Sequence, residues 1–367
     1  MKKLYIAFIA AFLAIIILPA VFVFTTADKT FSDNENRMLQ TAPELNWKSI
    51  SKGDFQEELT AYISDQFPAR DTWTALGTNV KKLMGFKDIG GAYLGSDGYY
   101  FEKITEKDIN EPMFRVNLTQ MNDFAAKNSG IPTTALLIPA AGTVMQDKLP
   151  KNAQMYNPAK LYDIAKYAMT DVNVPDLYSE LQKHSGEELY YHTDHHWQTY
   201  GAAQIAYKML MGDKAACDAA PELFSDSFLG TTYSKTLDSA ARCDSVYTVP
   251  VPEGVSVTAD GKDAEYYYTA AQNEKDKYKV FFGGNFGEVV ITGGAHNGKT
   301  LLVIKDSYAN SLVPFLTYDY ETIIMLDLRY YMDSAQKVVE QMNVDEILFV
   351  FEMSGLSNNT NISKLVF

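Results

Sequence analysis

Eight consecutive residues, Tyr190-Tyr191-His192-Thr193-Asp194-His195-His196-Trp197, hold three of the chain's five histidines with a carboxylate among them. Far downstream, Leu301-Leu302-Val303-Ile304-Lys305-Asp306-Ser307 reads as a buried apolar strand that ends on a serine. A serine hydroxyl is a weak nucleophile until a base takes its proton. A histidine does this near neutral pH, and a carboxylate on its other ring nitrogen fixes the tautomer and stabilises the imidazolium. Histidine, acid and serine are thus the parts of a nucleophilic hydrolase or acyl transferase. Each also has a plainer use. Ser307 alone fits a helix N-cap, and a lone histidine is more often a satisfied structural residue. Spacing does not choose between His195 and His196. Asp-x-His also suits metal ligation, but no further His or Cys cluster completes a site, so neither metal nor cofactor is expected.

The elements around these residues must bring them together. Met113 to about Asn128 has helical periodicity, and Ile131 to Pro139 reads as a strand with an apolar centre. The following Pro139 to Thr143 loop is a candidate wall of a crevice, because such loops line ligand sites in open α/β sheets. Helices follow at about 158–170 and 178–182, with a short strand at Val172–Leu177 between them. Thr199 opens a helix to about Met211, so Asp194 and His196 fall on a loop between strand and helix, or on the helix's first turn. From about Gly230 to Lys299 the helical pattern fades. Short runs at Ser245–Val249, Glu265–Tyr268, Lys279–Phe282 and Glu288–Ile291 alternate with Gly, Asp and Asn turns, which reads as a β-rich insertion. Leu301–Ile304, a helix at Tyr308–Phe315, and strands at Glu321–Asp327 and Glu346–Phe351 resume the α/β pattern. Short apolar strands alternating with helices indicate a mostly parallel sheet with covering helices. Ser307 then stands at a strand's end and a helix's mouth, where N–H groups would face a developing oxyanion.

The chain's 46 acidic and 32 basic residues give a net charge of -14, which argues against nucleic acid as a partner. After Met1-Lys2-Lys3, Leu4 to Phe24 carries no charge. A spanning helix needs about 20 such residues and a signal-peptide apolar region about 7–15. Length favours an uncleaved anchor, and Thr25-Thr26-Ala27 is acceptable as a cleavage site. With Lys2 and Lys3 inside, the remainder is exported in either case. Residues 1–27 are therefore signal anchor or signal peptide, 28–90 a juxtamembrane segment with N-terminal helices, and 91–367 the α/β domain with its insertion at about 230–299. Outside the cytoplasm Cys217 and Cys243 could pair, although spacing alone does not bring them within bridging distance.

Asp194-His195-His196-Trp197 spells a DHHW signature, and the chain resembles the DHHW family. These exported proteins are related to the SGNH hydrolase superfamily and to alginate O-acetylation proteins with an Asp-x-His-Trp motif. The resemblance extends to Ser32–Arg37, Asp65–Arg70, Phe282–Asn285, Lys305–Asn310 and Asp327–Tyr331; the DHHW and Lys-Asp-Ser segments are the specific ones. It implies an SGNH-like (flavodoxin-like) α/β fold, with Ser307 as nucleophile, His196 as base, Asp194 as orienting acid and His195 at the variable position. Lys305 stands where SGNH enzymes commonly have glycine. Gly284 and Asn285 are counterparts for the oxyanion hole, although they precede the serine, which is not the usual order. Arg329, after the next strand, is a candidate for binding a carbonyl or carboxylate, or one half of a salt bridge. The implied activity is O-acetyl transfer to cell-surface or secreted polysaccharide, with a membrane-embedded partner as acetyl donor. Acetyl-ester hydrolysis and a non-catalytic role in surface or polysaccharide assembly are the alternatives.

Overall fold

The computed structural model describes residues 2–35 and 37–366; Met1, Asn36 (part of the Ser32–Arg37 segment) and Phe367 lie outside the described residues. Two compact units are present, one formed by Met1–Ile89 with Tyr233–Ala240, the other by Gly90–Thr232 with Ala241–Phe367.

In the first unit, the helix Lys2–Thr25 is long and apolar enough to cross a membrane. Helices at Asp54–Asp65 and Arg70–Leu83 follow, separated by a break that holds Pro68. The Asp65 carboxylate takes the Arg37 guanidinium, one contact being 2.9 Å, and the Gln40 N–H at 2.9 Å. The arginine holds this carboxyl below its usual range.

The second unit carries a seven-stranded sheet. Its strands in chain order are β1 (Thr133–Ile138), β2 (Ser256–Ala259), β3 (Lys262–Ala264), β4 (Glu288–Thr292), β5 (Thr300–Lys305), β6 (Thr322–Leu326) and β7 (Glu346–Glu352). They lie in the order β3-β2-β4-β6-β5-β7-β1. The expectation of a mostly parallel sheet is corrected here. β6, β5, β7 and β1 run parallel, but β4 against β6, β2 against β4 and β3 against β2 are antiparallel. The side-chain patterns give the physical reason. Leu301–Lys305 and Ile347–Glu352 are buried without interruption, as strands covered on both faces must be, whereas β4 alternates, burying Val289 and Ile291. The stretch 230–299 thus supplies three strands to the central sheet itself. Of its other expected strands, Ser245–Val249 is found as Asp244–Thr248, paired with Glu222–Phe228. Glu265–Tyr268 and Lys279–Phe282 form no strands among the described residues; they meet through the bridge Tyr267–Phe281 and the ring contact of Tyr266 with Phe282.

Strand β5 fixes where the serine stands. Its outgoing helix, Ala309–Leu316, leads to β6 on one side, and the helix Ala335–Gln341 then returns the chain to β7 on the other. The strand order therefore reverses at the C-terminal end of β5, where open α/β sheets form their crevices. Ser307 lies at that end. Cys217 is buried and Cys243 exposed, and both are free thiols.

Candidate active site

The histidine-rich loop is closed at its base before any side chain acts. Tyr190 and Trp197 form an antiparallel bridge, and Tyr191 N–H donates to His196 O at 3.2 Å. Gly201 lets the next helix crowd this base: a methyl group there would lie 2.5 Å from Glu188 O and 2.8 Å from Leu189 O. Trp197 is fully buried and its indole N–H donates to Tyr308 O at 3.0 Å and Ser311 Oγ at 2.9 Å. The Tyr308 hydroxyl donates back to His195 O at 2.6 Å. The loop is thereby stapled to the first turn after the serine. From the other side, buried Asp244 accepts from His192 N, Thr193 N and Thr193 Oγ1 at 2.8, 2.8 and 2.6 Å, and holds His192 Nδ1 at 3.0 Å. His192, whose residue type suggested chemistry, is used as a brace and stacks on Tyr99.

These constraints bring three of the expected residues into line. His196 Nδ1 is 2.6 Å from Asp194 Oδ1, and His196 Nε2 is 2.8 Å from Ser307 Oγ. His195 points elsewhere, with Nδ1 at 2.6 Å from Thr231 Oγ1. The remaining Asp194 oxygen, Oδ2, accepts from Thr231 N at 2.8 Å and Thr231 Oγ1 at 2.9 Å. Oδ1 also accepts from His196 N at 2.9 Å, so all four lone-pair directions of the buried carboxylate are occupied, which is the condition for keeping it charged away from water. Burial alone would raise its pKa, but the two neighbouring imidazoles and the donated hydrogen bonds overcome this and hold it far below the carboxylate range. The His196 ring lies flat on Tyr278, with centroids 3.9 Å apart, and the Tyr278 hydroxyl donates to Ser307 O at 3.0 Å. Among the described residues the Ser307 backbone N–H meets no acceptor, so it is available to an oxyanion.

Asp306, beside the serine, shapes the turn. Its carboxylate accepts from Tyr308 N at 2.9 Å and Glu352 N at 2.7 Å. The loop after β1 lines a small cavity of about 30 Å³ together with Asp194, His195 and Tyr308, which is room for roughly one water. Arg329 is committed to a two-point pair with buried Asp327, at 2.9 and 2.6 Å. Gly284 (φ 126°) lies in a left-handed run that starts at Phe282 and leads to exposed Asn285. Asn285 Oδ1 accepts from Asn310 Nδ2 at 3.3 Å. Asp194, His195 and His196 could also meet a metal ion, since one ligand atom from each lies within 4.8 Å of the others. Asp194 Oδ1 and His196 Nδ1 already face each other in a hydrogen bond. Sequence reasoning missed Thr231, Tyr278 and Gly230, which packs on the Asp194 side chain.

The electrostatics set a pH dependence. Burial pushes the His196 imidazole down, His195 beside it adds to this, and Asp194 opposes without prevailing, leaving a pKa of about 4. Protonated His196 cannot take the serine proton, so a rate that depends on it is present at neutrality and lost as pH falls through about 4. The kcat/KM profile should therefore stay flat well below the ordinary imidazole pKa of about 6.5. An acid limb near the ordinary value would contradict the burial of this ring. Stability follows the same sign: the unfolded imidazole protonates first as pH drops, so folding weakens between the two values.

A family model described as DHHW protein matches residues 116–326. Among solved structures, a DHHW family protein from Eubacterium siraeum DSM 15702 is similar at 20% identity and TM-score 0.63, covering 75% of this chain and 95% of that one. Bacillus cereus PatB1, solved with a sulfonyl adduct, is similar at 20% identity and TM-score 0.59, covering 72% of this chain and 96% of its own. These two likenesses concern the fold. No curated protein matches the chain.

Proposed function

The chain belongs to the DHHW protein family, and from that premise we propose that it is a serine-dependent acyl-transfer enzyme, an O-acetyltransferase for cell-surface or secreted polysaccharide. The observation that carries this reading is the hydrogen-bonded line Asp194–His196–Ser307, with links of 2.6 and 2.8 Å. In the first half-reaction His196 Nε2 takes the Ser307 hydroxyl proton as Oγ attacks an acetyl carbonyl. The departing alcohol receives that proton, and an acetyl ester is left on Ser307. In the second half-reaction an acceptor hydroxyl gives its proton to His196 and attacks the ester carbonyl. Ser307 Oγ leaves and is reprotonated by His196. Asp194 stays ionised throughout and keeps the imidazole in the tautomer whose Nε2 is free to accept. The Ser307 N–H supports the oxyanion in both steps.

The polysaccharide acceptor and a membrane-embedded acetyl donor rest on the resemblance of the Asp-His-His-Trp motif to that of alginate O-acetylation proteins. With water as acceptor the same steps make an esterase. The placement proposed is outside the cytoplasm, held by the helix Lys2–Thr25. In the same unit Trp73, Leu76, Val80 and Leu83 are exposed at helical spacing on Arg70–Leu83, a pattern suited to a membrane surface.

Mass spectrometry of the protein after brief exposure to an activated acetyl ester tests the nucleophile. One acetyl group is expected on the peptide that contains Ser307 and none there in Ser307→Ala. Acetylation confined to lysines, or equal in the two proteins, would remove the assignment.

A further inference from the structure

Lys305 ends strand β5 two residues before the nucleophile, with 2% of its surface exposed. A buried ammonium is costly unless it is paired, yet among the described residues this one makes no direct ion pair. Its hydrogen bond runs to a neutral group, Asn310 Oδ1, at 2.7 Å. Burial pushes the ammonium down to about 8, with Asp327 and Asp306 opposing at longer range. The site tolerates this cost immediately behind Ser307, and the two half-reactions make no use of the charge.

The consequence lies in hydrogen-bond polarity. An ammonium donates and never accepts. Facing it, Asn310 must present its carbonyl oxygen, which turns the Asn310 NH2 group the other way. That NH2 group meets Asn285 Oδ1 at 3.3 Å. With its oxygen engaged, Asn285 has only its own NH2 group left to offer. Asn310 lies in the first turn after the nucleophile, its N–H donating to Ser307 O at 3.2 Å. The left-handed run of Phe282, Gly283 and Gly284, with φ of 62°, 82° and 126°, delivers Asn285 to this place.

We propose that Lys305 is a positioning residue that acts through Asn310, orienting the Asn285 amide so that its NH2 group, and not its oxygen, faces the oxyanion formed at Ser307. This rests on the serine acyl-transfer reading. It gives a reason for lysine where the related enzymes commonly carry glycine: an ammonium donor at the start of the chain of amides sets the direction of every link.

Asn310→Asp separates positioning from simple structural support. A carboxylate at 310 pairs with the buried ammonium, so the folded state is held at least as firmly. Both of its oxygens accept, so the Asn285 amide must flip to donate to it, and its own oxygen then turns on the oxyanion. The expected result is an unchanged or raised Tm with kcat down by roughly 10²–10³-fold, the usual loss of one oxyanion donor, and KM moved far less. Lys305→Met and Asn285→Ala form the second arm. Each lowers kcat, and Lys305→Met has no further effect once Asn285 is alanine. Wild-type kcat in Asn310→Asp, or losses that multiply in the double variant, would overturn the proposal. Absence of an acetyl group on Ser307 in the wild-type protein would instead defeat the acyl-transfer reading beneath it.

Discussion

Ser307→Ala is expected to lower acetyl-ester turnover by roughly 10⁴-fold or more, with unfolding free energy changed by no more than about 1 kcal/mol. The contrast between the two readouts is what makes this substitution informative. The Ser307 hydroxyl is half-buried and reaches His196 Nε2 at 2.8 Å, so water can replace it as a hydrogen-bond partner at small cost. His196→Ala would be as damaging to the chemistry but would strip a fully buried carboxylate of its main partner. Removing one member of such a pair costs on the order of 3–5 kcal/mol, and loss of activity would then be confounded with loss of fold. Asp194→Ala has the matching defect: it releases His196, His195 and Thr231 together. Kinetics on Ser307→Ala with a melting curve beside it is therefore the clean measurement. Turnover within about tenfold of wild type would place the chemistry elsewhere, or nowhere, and favour a non-catalytic role for the motif.

Why Asp194, His196 and Ser307, the members of the proposed triad, stand out in the sequence while much of what surrounds them does not has a physical answer. Asp194 and His196 are two residues apart on one loop, and Ser307 ends an apolar run, so local pattern and resemblance both point to them. Their supports come from across the chain. Thr231 and Gly230 lie in a stretch with no helical period, and Tyr278 is one of many tyrosines; nothing local distinguishes the one that stacks on His196. The parallel core was legible because strands buried on both faces read as unbroken apolar runs, as Leu301–Ile304 does. In the antiparallel half only β4 was legible, as Glu288–Ile291; β2 and β3 were not, because they are short and half-solvated. One signal was available there. Asp260-Gly261, with φ of 47° and 75°, is the two-residue turn of a hairpin joining β2 to β3. Asp-Gly between those short runs already implies an antiparallel pair.

Gly230→Ala is expected to cost roughly 10²–10⁴-fold in kcat, although residue 230 touches no proposed substrate atom. A methyl group at this position would lie 2.7 Å from Asp194 Cγ and closer still to its Cβ and Oδ2. Real carbon atoms do not approach so closely, so one side must give. The carboxylate cannot yield freely, since Oδ1 is held by His196 and Oδ2 by Thr231. The backbone at 230 is tied in turn, its N–H donating to Thr193 Oγ1 at 3.1 Å, and that hydroxyl is anchored on Asp244. The clash is therefore relieved by pushing Asp194 off His196 Nδ1, which frees the ring to take the wrong tautomer, or by opening the loop. Overpacking of this kind typically costs about 1–3 kcal/mol of stability, against roughly 3–5 kcal/mol of lost transition-state stabilisation for the expected kinetic effect. The two relief routes differ in what survives. If only the carboxylate moves, KM stays near wild type, kcat falls, and Ser307→Ala in the Gly230→Ala background adds far less than it does alone. If the loop opens, Tm drops by much more than overpacking predicts. An alanine variant with wild-type kcat would mean that Asp194 does not need its observed position, and the orienting role assigned to it would fall.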